Sequence, residues 1–138
     1  MQLVADSSVI TAVCLAGGQL GPLTGHEIHG PALLSSEVTS AIRERQFRAE
    51  IGDEVAGRAI AELASLEIRY ADPGSLSAEA FALAAANGWA KTYDAEFVAL
   101  ARRLGCPIVT LDGRLQRGAS HLASIVAPTE LQRPGAAT

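Results

Sequence analysis

The sequence predicts an α/β fold built on a parallel central sheet with helices on both faces. Three observations carry this. Short apolar runs at 2–5, 67–71 and 107–111 alternate with longer stretches of helical periodicity, the pattern of strand–helix–strand units. Alanine supplies much of the apolar content, which favours helix. Finally, 138 residues make one domain that buries roughly two-thirds of the surface its unfolded chain exposes, so it needs no covalent staples.

The elements follow in order. Residues 2–5 form a short apolar strand, and 7–15 a short helix. Residues 16–31 are rich in Gly, Pro and His and read as a loop. A helix covers 32–48. A second covers 53–66, with Asp53 and Glu54 in its first turn where the helix dipole favours acids. Residues 67–71 form a strand that Asp72-Pro73-Gly74 ends in a turn. Helices at 77–87 and 94–104 are closed by Gly88 and Gly105. Residues 107–111 and 124–126 complete the strands. The domain is expected to span 1–130, with 131–138 a flexible C-terminal tail.

Composition narrows the function. A net charge of −4 lacks the basic footprint of a protein that coats nucleic acid, yet it suits an enzyme with an acidic cation pocket. No stretch approaches the roughly 20 apolar residues of a membrane span, and MQLVADSS has no basic leader region. Cys14 and Cys106 match no metal or redox spacing and read as reduced thiols of a cytoplasmic protein. His26 and His29 are three apart, not at the spacing of a zinc-binding H-E-x-x-H helix.

The acids are more informative. In a parallel sheet, function sits beyond the carboxyl ends of the strands. Asp6 directly follows the first expected strand, and Asp112 follows that at 107–111. Asp94 opens a helix, where it is well placed as the N-cap. Glu37 shares a helical face with Leu33, Leu34 and Ala41, so it sits on or beside an apolar stripe. A carboxylate there is costly unless it is paired, protonated or bound to metal. Each acid also has an ordinary explanation: Asp6 and Asp94 as helix caps, Asp112-Gly113 as a turn, Glu37 at the stripe's edge, snorkelling or paired with an arginine. Together they place three of the five aspartates at element boundaries where such a sheet carries its site.

VADSSV, SSEVTSAIR, TYDAEFVALARRLG and PIVTLDGRL occur in the order and approximate spacing of a PIN domain. The chain resembles, more narrowly, the VapC-type toxins of toxin–antitoxin modules, over 1 to about 128. The resemblance implies a PIN-domain fold and a Mg²⁺- or Mn²⁺-dependent endoribonuclease whose metal and catalytic residues are Asp6, Glu37, Asp94 and Asp112. It implies supporting polar roles for Ser8 and Thr110. It also implies an RNA substrate, whether tRNA, rRNA or mRNA, a homodimer, and a cognate antitoxin that blocks the acidic cleft. Arg43, Lys91, Arg114 and Arg117 are candidate substrate contacts, the arginines through phosphate. Trp89 beside Lys91 either touches substrate or packs on a helix.

One departure stands out. Residues 113–117, GRLQR, contain no acid where many relatives carry another polar or acidic group, which bears on a second metal position. It also supports the alternative of a PIN-like module that binds RNA or protein without cutting. Other classes fit poorly. A receiver domain wants a lysine after a late strand, whereas Lys91 precedes a helix. A haloacid-dehalogenase-type phosphatase wants Asp-x-Asp where Asp6-Ser7-Ser8 stands, and no glycine fingerprint for a dinucleotide is present.

Overall fold

A computed structural model describes residues 1–131 of the chain. It contains a single five-stranded parallel sheet: β1 (Gln2–Ala5), β2 (Glu27–Pro31), β3 (Ile68–Ala71), β4 (Ile108–Val109) and β5 (Ile125–Val126). The helices are α1 (Ser7–Leu15), α2 (Leu33–Phe47), α3 (Asp53–Ser65), α4 (Pro73–Asn87), α5 (Tyr93–Leu104) and α6 (Gly113–Ala119). The expected α/β architecture is present. Residues 132–138, most of the expected tail, lie outside the described residues, while Leu131 packs against the core. Among the described residues no helix is long and apolar enough to cross a membrane.

The strand order is β3-β2-β1-β4-β5. The chain steps outward from β1 to β3, then returns across the sheet and continues through β4 to β5. Right-handed crossovers therefore put α1–α3 on one face and α4–α6 on the other. The contacts agree: α1, α2 and α3 pack on one another, while α4 packs on α5, which lies against β1, β2 and β4. The direction of winding reverses between β1 and β4, so a crevice opens at their carboxyl ends. Leu3, Val4, Ile108 and Val109 are almost wholly buried there because both sheet faces are covered.

Four expectations need correction. The loop expected over 16–31 contains β2, which pairs with β1 and β3. EIHGP has one strongly apolar residue, Ile28, so the strand is stabilised by its neighbours on both sides rather than by its own pattern. Pro31 is tolerated because it ends the strand. The expected turn at 72–74 is the start of α4: Asp72 is the N-cap and Pro73 occupies the first helical position, where a missing N–H costs nothing. The tract after Asp112 is a helix rather than a plain turn, hidden in sequence by Gly113 and Gly118. The strand expected over 107–111 is confined to Ile108–Val109; the Thr110 amide still donates to the Val126 carbonyl at 3.0 Å, while the Thr110 side chain and Leu111 serve the loop beyond.

Gly30 allows a close helix–sheet approach. A Cβ there would fall 2.4 Å from Leu34 Cδ2, so the absent side chain lets α2 lie directly on β2. Leu34 is 0% exposed and anchors the helix that carries Glu37. Leu34→Ala should lower unfolding free energy by about 2–5 kcal/mol, read by urea denaturation, because the surrounding elements cannot collapse into the cavity.

Candidate active site

Asp6 directly follows β1 and caps α1. Its Oδ1 accepts from the Val9 amide at 3.2 Å and from Ser8 Oγ at 2.6 Å. Its Oδ2 accepts from the Thr110 hydroxyl. Both hydroxyls also accept from the β4–α6 loop: Ser8 Oγ from the Leu111 amide at 3.0 Å, and Thr110 Oγ1 from the Asp112 amide at 2.9 Å. The expected cap role of Asp6 is thus real, and it coexists with a bridge to β4. The loop places Asp112 beside Asp6, and Asp112 in turn caps α6 through the Arg114 amide at 2.9 Å.

Asp94 differs from its sequence expectation. Thr92 holds the N-cap position and α5 begins at Tyr93, so Asp94 lies within the first turn. Its carboxylate is not spent on capping. Glu37 lies half-buried beside Leu34 and Val38, as the stripe spacing indicated. The arginine partner considered for it is not found: buried Oε1 has no hydrogen-bond partner among the described residues.

The four acids feel one another. Burial pushes the Asp6 carboxyl up, Ser8, Thr110 and the Val9 amide pull it back, and the Asp112 charge pushes again. Burial, then Asp112, raises Asp94, with Arg114 opposing. Burial, then the charges of Asp94, Asp6 and Glu96, lifts Glu37 to about 7. Glu96, in the first turn of α5, thus contributes to the same field, and burial raises its own pKa. Its spacing of two from Asp94 gave no helical signal that it would.

Among the described residues no three His, Cys, Asp or Glu side chains are already gathered as a metal cage. The donor chemistry nevertheless fits a hard divalent cation. All four groups are carboxylates, the charge of neighbouring acids helps to raise Asp6, Glu37 and Asp94, and one buried oxygen lacks a partner.

A cleft of about 460 Å³ adjoins Glu37 and Asp94 and is lined also by Trp89, Lys91, Tyr93 and Arg114. Two of the four candidate substrate cations therefore reach it. Arg114 meanwhile stands 3.5 Å from Asp112 Oδ2. Arg43 is engaged elsewhere, 3.0 Å from Gln46 Oε1 and over the Phe47 ring. Arg117 folds back on Gly113 at the start of its own helix. Trp89 packs half-buried on the core, one of its two expected roles, and it also lines the cleft. Tyr93 was not singled out in sequence, although it adjoins Asp94.

The two cysteines are free. Burial and then Glu62 push Cys14 to about 11, and burial raises Cys106, so neither thiol is poised to react.

The Glu37 shift has a defined sign. A carboxyl whose folded pKa exceeds its unfolded value favours folding while protonated. That contribution is whole below the model-peptide value of 4.5 and is lost as pH rises through about 7. In EDTA the protein should lose on the order of 2 kcal/mol through this group between about pH 5 and 8. Glu37→Gln should remove that part of the slope and melt higher than the native chain at about pH 8, as measured by thermal denaturation across pH.

No protein-family profile matches the chain. Individual relatives do. Ribonuclease VapC12 of Mycobacterium tuberculosis is 34% identical over 127 residues, covering 89% of this chain and 96% of that protein. Ribonuclease VapC9 of the same species is 36% identical over 115 residues, covering 82% and 87%. VapC ribonuclease Mb0985 of Mycobacterium bovis matches to the same extent. Among solved structures, PAE2754 from Pyrobaculum aerophilum superposes with a TM-score of 0.69 at 20% identity, over 94% of this chain and 91% of that one. FitAcB from Neisseria gonorrhoeae gives 0.52 at 16%, over 94% and 99%. These structural likenesses bear on the fold alone, and the fold is that of a PIN domain. With relatives of this identity matched over nearly their whole length, the chain belongs to the VapC ribonuclease family.

Proposed function

We propose that this protein is a metal-dependent endoribonuclease that hydrolyses RNA phosphodiester bonds and acts as the toxin of a toxin–antitoxin pair. The observation that carries the reading is the group of charge-coupled carboxylates at the β1/β4 crevice, with a buried Glu37 oxygen that has no partner. Asp6, Glu37, Asp94 and Asp112 would hold Mg²⁺ or Mn²⁺, which hard oxygen donors favour. When bound, such an ion supplies Lewis acidity to a phosphoryl oxygen and lowers the pKa of water.

The chain's own residues do the rest. Ser8 and Thr110 fix the orientation of the Asp6 carboxylate, and Thr110 also holds the backbone that carries Asp112. Arg114 and Lys91 grip phosphate oxygens beside the acids. Arg43 and Arg117, directed elsewhere, take no part near the reacting bond. The acid cluster itself, rather than the cation-lined wall beside it, suits a single basic side chain from an antitoxin by charge complementarity. A cytoplasmic homodimer completes the reading.

Purified protein incubated with total cellular RNA tests this. With Mg²⁺ or Mn²⁺ it should produce discrete ends bearing 5′-phosphate and leave 3′-hydroxyls, both identifiable by ligation and sequencing. EDTA or Asp94→Asn should abolish them. Absence of cleavage together with absence of Mn²⁺ binding would leave a binding module instead. Thr110→Val keeps the shape but removes the hydroxyl. It should weaken metal affinity about 10–100-fold, measured by calorimetry with Mn²⁺.

A further inference from the structure

The cleft beside the acids has an aromatic wall that phosphodiester hydrolysis does not itself require. Trp89, Lys91, Tyr93 and Arg114 line it together with Glu37 and Asp94. Trp89 is held firmly. Helix α4 ends on Gly88 in the left-handed conformation, φ 69°, and the Trp89 amide donates to the Ala84 carbonyl at 2.9 Å. The chain therefore turns back over its own helix. Trp89 packs against the cluster of Ala80, Ala84 and Ala95 and also lines the cleft. Tyr93, 56% exposed, stands at the first position of α5, one residue before Asp94.

Two rings and two cations next to carboxylates suit one kind of occupant. A nucleotide places its base on an aromatic face and its phosphates on cations. A basic peptide would suit the rings and acids but would meet Lys91 and Arg114. The cleft volume lies within the range of small-ligand sites, roughly 300–1,000 Å³, of nucleotide rather than helix dimensions.

We propose that Trp89 and Tyr93 form a base-stacking subsite that grips one unpaired nucleobase of the RNA beside the scissile phosphate. The proposal rests on the endoribonuclease reading and names the residues that would hold a base at that site. In a duplex both faces of each base are already stacked, so an aromatic subsite accepts only bases outside a helix. Stacking tolerates any base, which makes Trp89 and Tyr93 selectors of single-stranded structure, with sequence choice left to other contacts.

Trp89 is the only tryptophan, so intrinsic fluorescence reports this cleft. The full chain, with Ca²⁺ in place of the catalytic ion, is titrated with a short alternating A–C oligoribonucleotide, alone and annealed to its complement. A labelled strand followed by anisotropy gives affinity independently. The single strand should change Trp89 fluorescence and the duplex should not. Tyr93→Ala should weaken single-strand binding about tenfold, and Tyr93→Phe, which keeps the ring, should restore it. An unchanged melting temperature of Tyr93→Ala separates lost stacking from lost fold. Equal binding of strand and duplex, native affinity in Tyr93→Ala, or unaltered Trp89 fluorescence at saturation would each overturn the subsite. The nuclease reading fails separately. Native protein that stacks single strands yet cuts no RNA with Mg²⁺ or Mn²⁺ keeps the subsite, whereas an enzyme whose KM ignores Tyr93→Ala keeps only the nuclease.

Discussion

The Asp6 carboxylate is the tie on which the rest of the site depends. One oxygen caps α1 and receives Ser8, while the other receives Thr110 from beyond β4. The same two hydroxyls then hold the amides of Leu111 and Asp112. A single buried acid thereby joins a local helix start to a loop more than 100 residues away. Satisfied polar networks of this kind specify geometry because every buried group left unpaired is expensive. Here the network locks the two sides of the sheet's switch point together, and Asp112 takes its position from that lock.

Around this tie the acids are in electrostatic conflict. Glu37 and Asp94 are raised by burial first and by other acids second. Hydrophobic packing of α2 and α5 holds these groups in place against their repulsion: Leu34, Val38 and Ile42 on one helix, Phe97, Val98 and Leu100 on the other. A core that stabilises the fold is thus used to retain charges that destabilise it. Such local violations of folding consistency are expected where a protein binds something. Arg114 relieves part of the conflict through Asp112, and a divalent ion would relieve more.

The cleft beside the acids is assembled from short-range features with distant consequences. Gly88 closes α4 in a conformation that other residues adopt only with strain, and this turns Trp89 onto the core. Four residues later the chain starts α5 at Tyr93 rather than at Asp94. That one-residue difference leaves Thr92 at the cap position and Asp94 free of it. The opposite wall comes from α6, a helix with two glycines in seven residues.

What the sequence determined by itself is what local chemistry can encode. Alternating apolar runs and helical stretches made the parallel α/β class legible, and the strand-end positions of Asp6 and Asp112 pointed to the functional edge. The apolar neighbours of Glu37 marked it as an acid in the wrong surroundings. Tertiary structure alone decided the remainder. Strand β2 exists because β1 and β3 flank it, which a five-residue segment with one strong hydrophobe cannot announce. Helix α6 forms with its Leu115 and Ala119 buried despite poor propensity. The union of Thr110 with Asp6, the nearness of Glu96 to Glu37, and the meeting of Trp89, Tyr93 and Arg114 in one cleft all join residues whose separation in sequence carries no periodic signal. Side-chain periodicity encodes which face of an element is buried, but only packing fixes which elements meet there.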